Sequence, residues 1–298
     1  MNVVSSIITW VKAARAPFFI ASIIPVSLGG TIAYSHGIFD LTLFLTVLAG
    51  IIMVQAGADF LDDYYDFKTG NIANKSRQFF KSPLLEGNVK LEHILYAGLI
   101  CLAIAVIIAL YLTITVGYVV LVLAAIGGFI GSFYTAPPFR LGYRGFGEIV
   151  IFLAFGPLLV TGTYYVLVKN LTIEPIIASI PLGILIASIT YVGAIFDYQS
   201  DKATNKKNIV VLLQPSKAIK FLSLLLLVAY FAVIFGVIFQ IMPLWTLITI
   251  ITTPIALSLI KTVSKYSDSS AYTPAVSRII SIVLIFGVLM CISYLIPV

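Results

Sequence analysis

Charge is what this chain most lacks. Only 10% of its 298 residues are Asp, Glu, Lys or Arg, and just twelve are acidic. A soluble domain needs a charged coat, so a mean hydropathy of +1.10 with repeated apolar runs of about 20 residues predicts a polytopic helical membrane protein. No stretch between the runs is long enough for a soluble domain. Cys101 and Cys291 both sit in apolar runs, which excludes a disulfide framework and a thiolate metal motif. His36 and His93 fall at span ends on opposite sides of the membrane and receive no role. The net charge of +6 comes from residues in short loops, so it marks topology and not nucleic-acid binding. Nothing in the sequence calls for an obligate protein partner.

What is present is a succession of spans. Residues 2–14, with Trp10 and Lys12, read as an interfacial helix. Nine spans follow, at about 17–35, 40–62, 93–114, 117–135, 148–168, 175–197, 218–240, 243–262 and 277–296. The first run follows Lys12 and Arg15 as a secretory signal would, but it is long and lacks a small-residue cleavage site, so it is predicted to be retained. With the N-terminus in the cytoplasm and the C-terminus outside, all basic residues except Lys169 fall on the cytoplasmic side, as the positive-inside rule requires. Two polar cytoplasmic loops, about 63–92 and 198–217, are unusually long. Pro25-x4-Gly30-Thr31 in the first span recurs as Pro157-x4-Gly162-Thr163 in the fifth. An offset of four spans preserves orientation, so the halves are predicted to be parallel repeats about an axis near the membrane normal.

The acidic residues are not scattered. Asp59, Asp62, Asp63 and Asp66 crowd the end of the second span, and Asp197 and Asp201 stand at the matching place one repeat later. On a helix, spacings of three, four and seven put the first four on one face. Helix C-termini already carry about half a negative charge, and two carboxylates about 6 Å apart repel by roughly 3 kcal/mol at an effective dielectric near 20. Such a cluster requires protonation, basic partners or a metal. All-oxygen sets with no histidine nearby suit Mg²⁺, which binds one or two carboxylates plus a substrate's phosphates. The competing reading is a pair of solvated helix ends neutralised by Lys68, Arg77 and Lys202. Loop residues Lys68, Lys75, Arg77, Lys81, Lys202, Lys206 and Lys207 are candidates for diphosphate oxygens, or simply topology signals. Tyr64, Tyr65, Tyr134, Tyr191 and Tyr198 are candidates to shield a carbocation, or interfacial belt residues. Trp10 and Trp245 read as interface anchors.

These residues resemble the UbiA-type intramembrane prenyltransferases, and most nearly the branch that prenylates dihydroxynaphthoate in menaquinone synthesis. The resemblance covers most of the first 215 residues. It rests on Arg15-Ala-Pro17 with Pro25-Val26 through Gly30, and on Asp59-x-x-Asp62-Asp63-Tyr64-x-Asp66-x-x-x-Gly70. It continues in Ser82-Pro83-Leu84-Leu85-Glu86-Gly87, Tyr134-Thr135-Ala136-Pro137-Pro138-Phe139-Arg140 and Gly142-Tyr143-Arg144-Gly145-Phe146-Gly147-Glu148. Asp197-x-x-x-Asp201-Lys202 with Asn205-Lys206-Lys207-Asn208 completes it. The chain departs from that pattern at six places, one being the Asp usual shortly after Gly70, which is absent, with Asn71 and Asn74 nearby. Asp59 and Asp62 each stand where Asn is usual, Ser82 where Arg is usual, and Gln214 where Gly is usual. Gly193-Ala194-Ile195-Phe196 replaces an Asn-rich run that ends in Arg.

The resemblance implies one prenyltransferase domain over 1–298, an all-α bundle of two parallel four-helix repeats plus a ninth helix around a central cavity. It implies that Asp59, Asp62, Asp63 and Asp66 hold one Mg²⁺, that Asp197 and Asp201 hold a second, and that the two ions bridge a polyprenyl diphosphate. Asp63, Asp66, Asp197, Asp201 and Tyr134 are then the catalytic set. Arg15, Lys68, Arg77, Lys81, Arg140, Arg144, Lys202, Lys206 and Lys207 are then the substrate contacts. A small aromatic acceptor attacks the allylic cation in a cavity open to membrane lipid, in the plasma membrane of a prokaryote. A glycerol-phosphate lipid or porphyrin acceptor is the alternative within the family, and an ion-coupled carrier the alternative outside it.

Overall fold

The computed structural model describes residues 3–71 and 83–297. Among these the regular structure is helical, with one isolated bridge between Arg144 and Lys207. An amphipathic helix α1 (Val3–Ala13) comes first, and Arg15 turns the chain in the left-handed region at φ 50°. Pro17 then sits in the first turn of a short 3-10 segment, where its missing N–H costs nothing. The long helices are α2 (Ile20–Ser35), α3 (Leu41–Lys68), α4 (Leu91–Val116), α5 (Tyr118–Phe133), α6 (Gly147–Val168) and α7 (Ile173–Phe196). Two short helices, α8 (Tyr198–Ala203) and α9 (Ile209–Leu213), precede α10 (Pro215–Ile238), α11 (Thr253–Val263) and α12 (Tyr272–Leu295).

Eight helical segments among the described residues are long and apolar enough to cross a membrane. The remaining expected span, 117–135, is helical over the 16 residues Tyr118–Phe133. At 1.5 Å per residue it reaches only about 24 Å of the roughly 30 Å hydrocarbon layer. The acidic stretch expected to open a loop at 63 instead stays helical to Lys68, because Phe60 and Leu61 are buried and the carboxylates beside them find partners, described below. Likewise α8 and α9 give the 198–217 loop helical structure. The loop expected at 63–92 falls largely in residues outside those described.

The core lies where α2, α6, α7, α10 and α12 meet, around Leu28, Ile32, Leu182, Leu185, Leu222, Ile279 and Phe286, all fully buried. By contrast α4 is apolar all round and has only 11% of its span buried inside the protein, as a lipid-facing helix should. The repeated Pro-Gly-Thr segments touch each other: a Cβ on Gly29 would lie 2.5 Å from the Val160 carbonyl and 2.9 Å from Thr163 Cβ. Only glycine permits that approach of α2 to α6. A π turn over Ala154–Leu158 accommodates Pro157, whose ring cannot continue an α-helix. There Gly156 and Gly183 bring α6 against α7, each so close to the other's Cα that a Cβ would meet it at 3.0 or 2.9 Å.

Candidate active site

A cavity of about 720 Å³ runs between α3, α4, α5, α6 and α7. Most of its wall is aliphatic, from Val47, Gly50 and Ile51 through Ala105, Ile108 and Leu112 to Leu121 and Ala124. One end is polar, and there Arg15, Asp59, Asp62, Tyr134, Glu148, Asp197, Asp201, Lys206 and Asn208 line it.

The first aspartate set comes from the last turns of α3. Asp63 and Asp66 are 2% and 1% exposed, and Asp201 is 2% exposed, which removes solvated helix ends as an account of them. Asp59, Asp62 and Asp63 face Arg15. Its Nη1 lies 3.7 Å from Asp59 Oδ1 and 3.1 Å from Asp62 Oδ2, and its Nη2 donates to Asp63 Oδ1. Burial opposes the Arg15 charge, but Asp63, Asp62 and Asp59 outweigh it and hold the guanidinium well above its usual range. The Thr135 hydroxyl donates to Asp62 Oδ1. Asp66 turns the other way: Tyr143 donates to its Oδ1 at 2.5 Å and Asn71 Nδ2 to its Oδ2 at 3.4 Å. Burial and then the Asp66 charge push the Tyr143 phenol up to about 12.

The second set is set one turn apart, since Asp197 ends α7 and the Asp201 amide donates to the Asp197 carbonyl at 2.9 Å. Asn208 Nδ2 donates to Asp201 Oδ2 at 2.7 Å. Asn71 ties the sets together, because its Oδ1 accepts from Thr204 at 3.3 Å and Ser200 at 3.4 Å. Lys206 stands between the sets, 5.1 Å above the Tyr143 ring. Its burial disfavours the charge, yet Asp66, Asp201 and Asp62 overcome that and raise its pKa. Around this end, Asp59 Oδ2, Asp201 Oδ1 and Glu148 Oε2 are buried with no hydrogen-bond partner among the described residues. Among the described residues no three carboxylates or imidazoles form a closed metal cage. Mg²⁺ does not need one: one or two carboxylates and a substrate's phosphates complete its shell, and unpartnered carboxylate oxygens on the wall are the donors it takes.

The other expected contacts lie elsewhere. Arg140 and Arg144 belong to the 134–146 loop, where Arg144 Nη2 donates to the Pro138 carbonyl at 2.9 Å. Lys68 and Lys202 are exposed over the rings of Tyr64 and Tyr198, at 4.7 and 5.8 Å. Lys207 is exposed, and its backbone N–H donates to Tyr143 O at 3.1 Å. None of these five side chains is part of the cavity lining. Arg77 and Lys81 lie outside the described residues. Of the five tyrosines considered as cation shields, Tyr134 lines the cavity, whereas Tyr191 is buried and donates to the Ala218 carbonyl at 3.1 Å. Tyr143, Asn71, Asn208 and Glu148 had no role assigned from sequence. Tyr143, Glu148 and Asn208 do fall within the segments that carry the family resemblance, and Glu148 is in addition one of twelve acids and the opening residue of an apolar run.

A match to the UbiA prenyltransferase family spans residues 22–285. The chain is 27% identical to the 2-carboxy-1,4-naphthoquinone phytyltransferase of Synechocystis over 87% of this chain and 83% of that one. It is 26% identical to the 1,4-dihydroxy-2-naphthoate octaprenyltransferase of Bacillus subtilis over 83% and 79%. A UbiA homologue from Archaeoglobus fulgidus, solved bound to GPP and Mg²⁺, shares the fold with a TM-score of 0.62 at 17% identity, covering 94% of this chain and 98% of that one.

Proposed function

The chain belongs to the UbiA prenyltransferase family, and from that premise we propose that it transfers the prenyl group of a polyprenyl diphosphate to a dihydroxynaphthoate-type aromatic acceptor within the membrane. The observation that carries this is the cavity: a long aliphatic chamber closed at one end by two carboxylate sets and two half-buried cations, Arg15 and Lys206. That shape fits a molecule with an apolar tail and an anionic head. The naphthoate acceptor is supported by the two curated relatives, which are named for naphthoquinone or naphthoate prenylation.

Asp59, Asp62, Asp197 and Asp201 are the aspartates on the cavity wall that would hold Mg²⁺, whereas Asp63 and Asp66, also expected as ligands, are not part of that wall. Bound there, Mg²⁺ would neutralise charge on the diphosphate as it departs. The GPP- and Mg²⁺-bound Archaeoglobus structure supports this cofactor. Lys206 and Arg15 offer fixed positive charge to diphosphate oxygens in a site of low dielectric. The C1–O bond breaks with its electron pair leaving on the diphosphate, and an electron-rich ring carbon of the acceptor bonds to C1. The acceptor ring then loses the substituent it carried at that carbon, as a proton or, from a carboxylated position, as carbon dioxide. Tyr134 presents a π face at the polar end of the cavity to the developing cation. Aliphatic walls keep out the water that would capture it. The charge pattern of the loops supports a cytoplasmic N-terminus and a cytoplasmic polar end of the cavity.

Mass spectrometry of lipid extracts tests this reading. Expression of the wild type should yield a prenylated naphthoquinol species that is absent when Asp62→Asn and Asp197→Asn are combined. A prenylated lipid of another class, dependent on the same aspartates, would replace the acceptor while keeping the transferase.

A further inference from the structure

Glu148 is a buried acid that neither aspartate set nor any ion pair described above employs. It sits in the first turn of α6, 7% exposed, and lines the polar end of the cavity. Its Oε1 accepts the Ile209 backbone N–H at 3.2 Å, and its Oε2 has no partner among the described residues. Asp201 is in the same half-satisfied condition. Its Oδ2 accepts from Asn208 Nδ2 at 2.7 Å while its Oδ1, equally buried, has none.

The two carboxylates are thus anchored by consecutive residues, Asn208 and Ile209, each through one oxygen. That corner is itself fixed, because Asn208 Oδ1 caps α9 by accepting from the Val211 N–H at 2.8 Å. Shared anchoring brings the two carboxylates to one corner of the cavity's polar end. An unpartnered buried carboxylate oxygen is costly, and two beside each other repel as well. Arg15 and Lys206 are the two cations on the cavity wall against Asp59, Asp62, Glu148, Asp197 and Asp201, and Arg15 is engaged by the first aspartate set, which leaves negative charge uncompensated at this corner.

We propose that Glu148 Oε2 and Asp201 Oδ1 jointly bind a divalent cation of the Mg²⁺ type, which makes Glu148 a metal ligand outside both aspartate sets. The donor pair is hard and all-oxygen, with neither imidazole nor thiolate on the cavity wall, which selects Mg²⁺ or Mn²⁺ over Zn²⁺. The Asn208 and Ile209 donors hold the ligands from behind, as outer-shell partners of a metal site do. The proposal rests on the Mg²⁺ reading above.

The test uses the full chain purified in detergent without prenyl diphosphate, titrated with Mn²⁺ and read by the electron paramagnetic resonance signal of the free ion. Asp201→Asn serves as the control, and melting in EDTA reports folding. Glu148→Gln should bind Mn²⁺ at least about tenfold more weakly than wild type and show a smaller Mg²⁺-induced rise in Tm. If the Gln variant fails to fold, Glu148→Asp replaces it, with the same weakening expected because its shorter side chain cannot reach. Wild-type binding by the Glu148 variant, with binding lost in Asp201→Asn, overturns the role of Glu148 and leaves the Mg²⁺ reading standing. Unchanged Mn²⁺ binding with a raised KM for the aromatic acceptor also overturns it, by making Glu148 an acceptor contact. Absence of Mn²⁺ binding in the wild type overturns the Glu148–Asp201 site, and overturns the Mg²⁺ reading too if a polyprenyl diphosphate added to the same titration restores no binding.

Discussion

Tyr143 donates its hydroxyl to Asp66 Oδ1 at 2.5 Å. The phenol comes from the loop between α5 and α6, and the carboxylate from the end of α3, so this bond pins the loop to the first aspartate set. Asn71 and Thr204 extend the connection to α8 and the second set. The spacing of the two sets is therefore held by neutral side chains as well as by Lys206.

Tyr143→Phe should leave Asp66 short of a donor while keeping the ring under Lys206. A hydrogen bond to a charged group contributes about 1.5–3 kcal/mol, so activity should fall about tenfold or more with the Mg²⁺ concentration for half-activity raised. A variant with wild-type Mg²⁺ dependence would show that the bond positions nothing of consequence.

Arg15→Gln removes the cation that faces Asp59, Asp62 and Asp63. Arg15 keeps a third of its side chain exposed, so the loss should fall between the about 1 kcal/mol of an exposed pair and the about 3 kcal/mol of a buried one. The deficit in Tm should be largest in EDTA and shrink when Mg²⁺ is added, because Mg²⁺ replaces the missing charge. An equal deficit in both buffers would mean that Arg15 packs without neutralising.

Gln214 is where the resembling family usually carries glycine, and its backbone explains why. At φ 65° and ψ 154° it occupies a region open to essentially glycine alone. Gln214→Gly should raise Tm, by an amount equivalent to about 1 kcal/mol or more, with activity unchanged since the side chain does not line the cavity. Thermal melting in detergent checks it, and a lower Tm would locate a side-chain contact that outweighs the strain.

The spans were legible in the sequence because apolar length is a direct reading of bilayer thickness, and most boundaries fall within a few residues of the helices. The aspartate sets were legible because charge at the end of an apolar run is costly and rarely incidental. Arg15 as their counter-ion was not, since it lies 47 residues before Asp62 and meets it only through the left-handed turn into α2. Lys202, Lys206 and Lys207 read alike in sequence. Only the turn after α8 sends Lys206 inward and leaves the others exposed. Asn71, Asn208 and Tyr143 carry no charge, and nothing in their local pattern distinguishes a buried hydrogen-bond donor from a loop residue.

The most direct test of prenyl transfer by this cavity is diphosphate release from a polyprenyl diphosphate and dihydroxynaphthoate, followed over a Mg²⁺ titration for wild type and for Asp62→Asn with Asp197→Asn. Mg²⁺-dependent release by the wild type, lost in the double variant at every Mg²⁺ concentration, is the predicted result. Equal release by the two proteins in metal-replete buffer would contradict it.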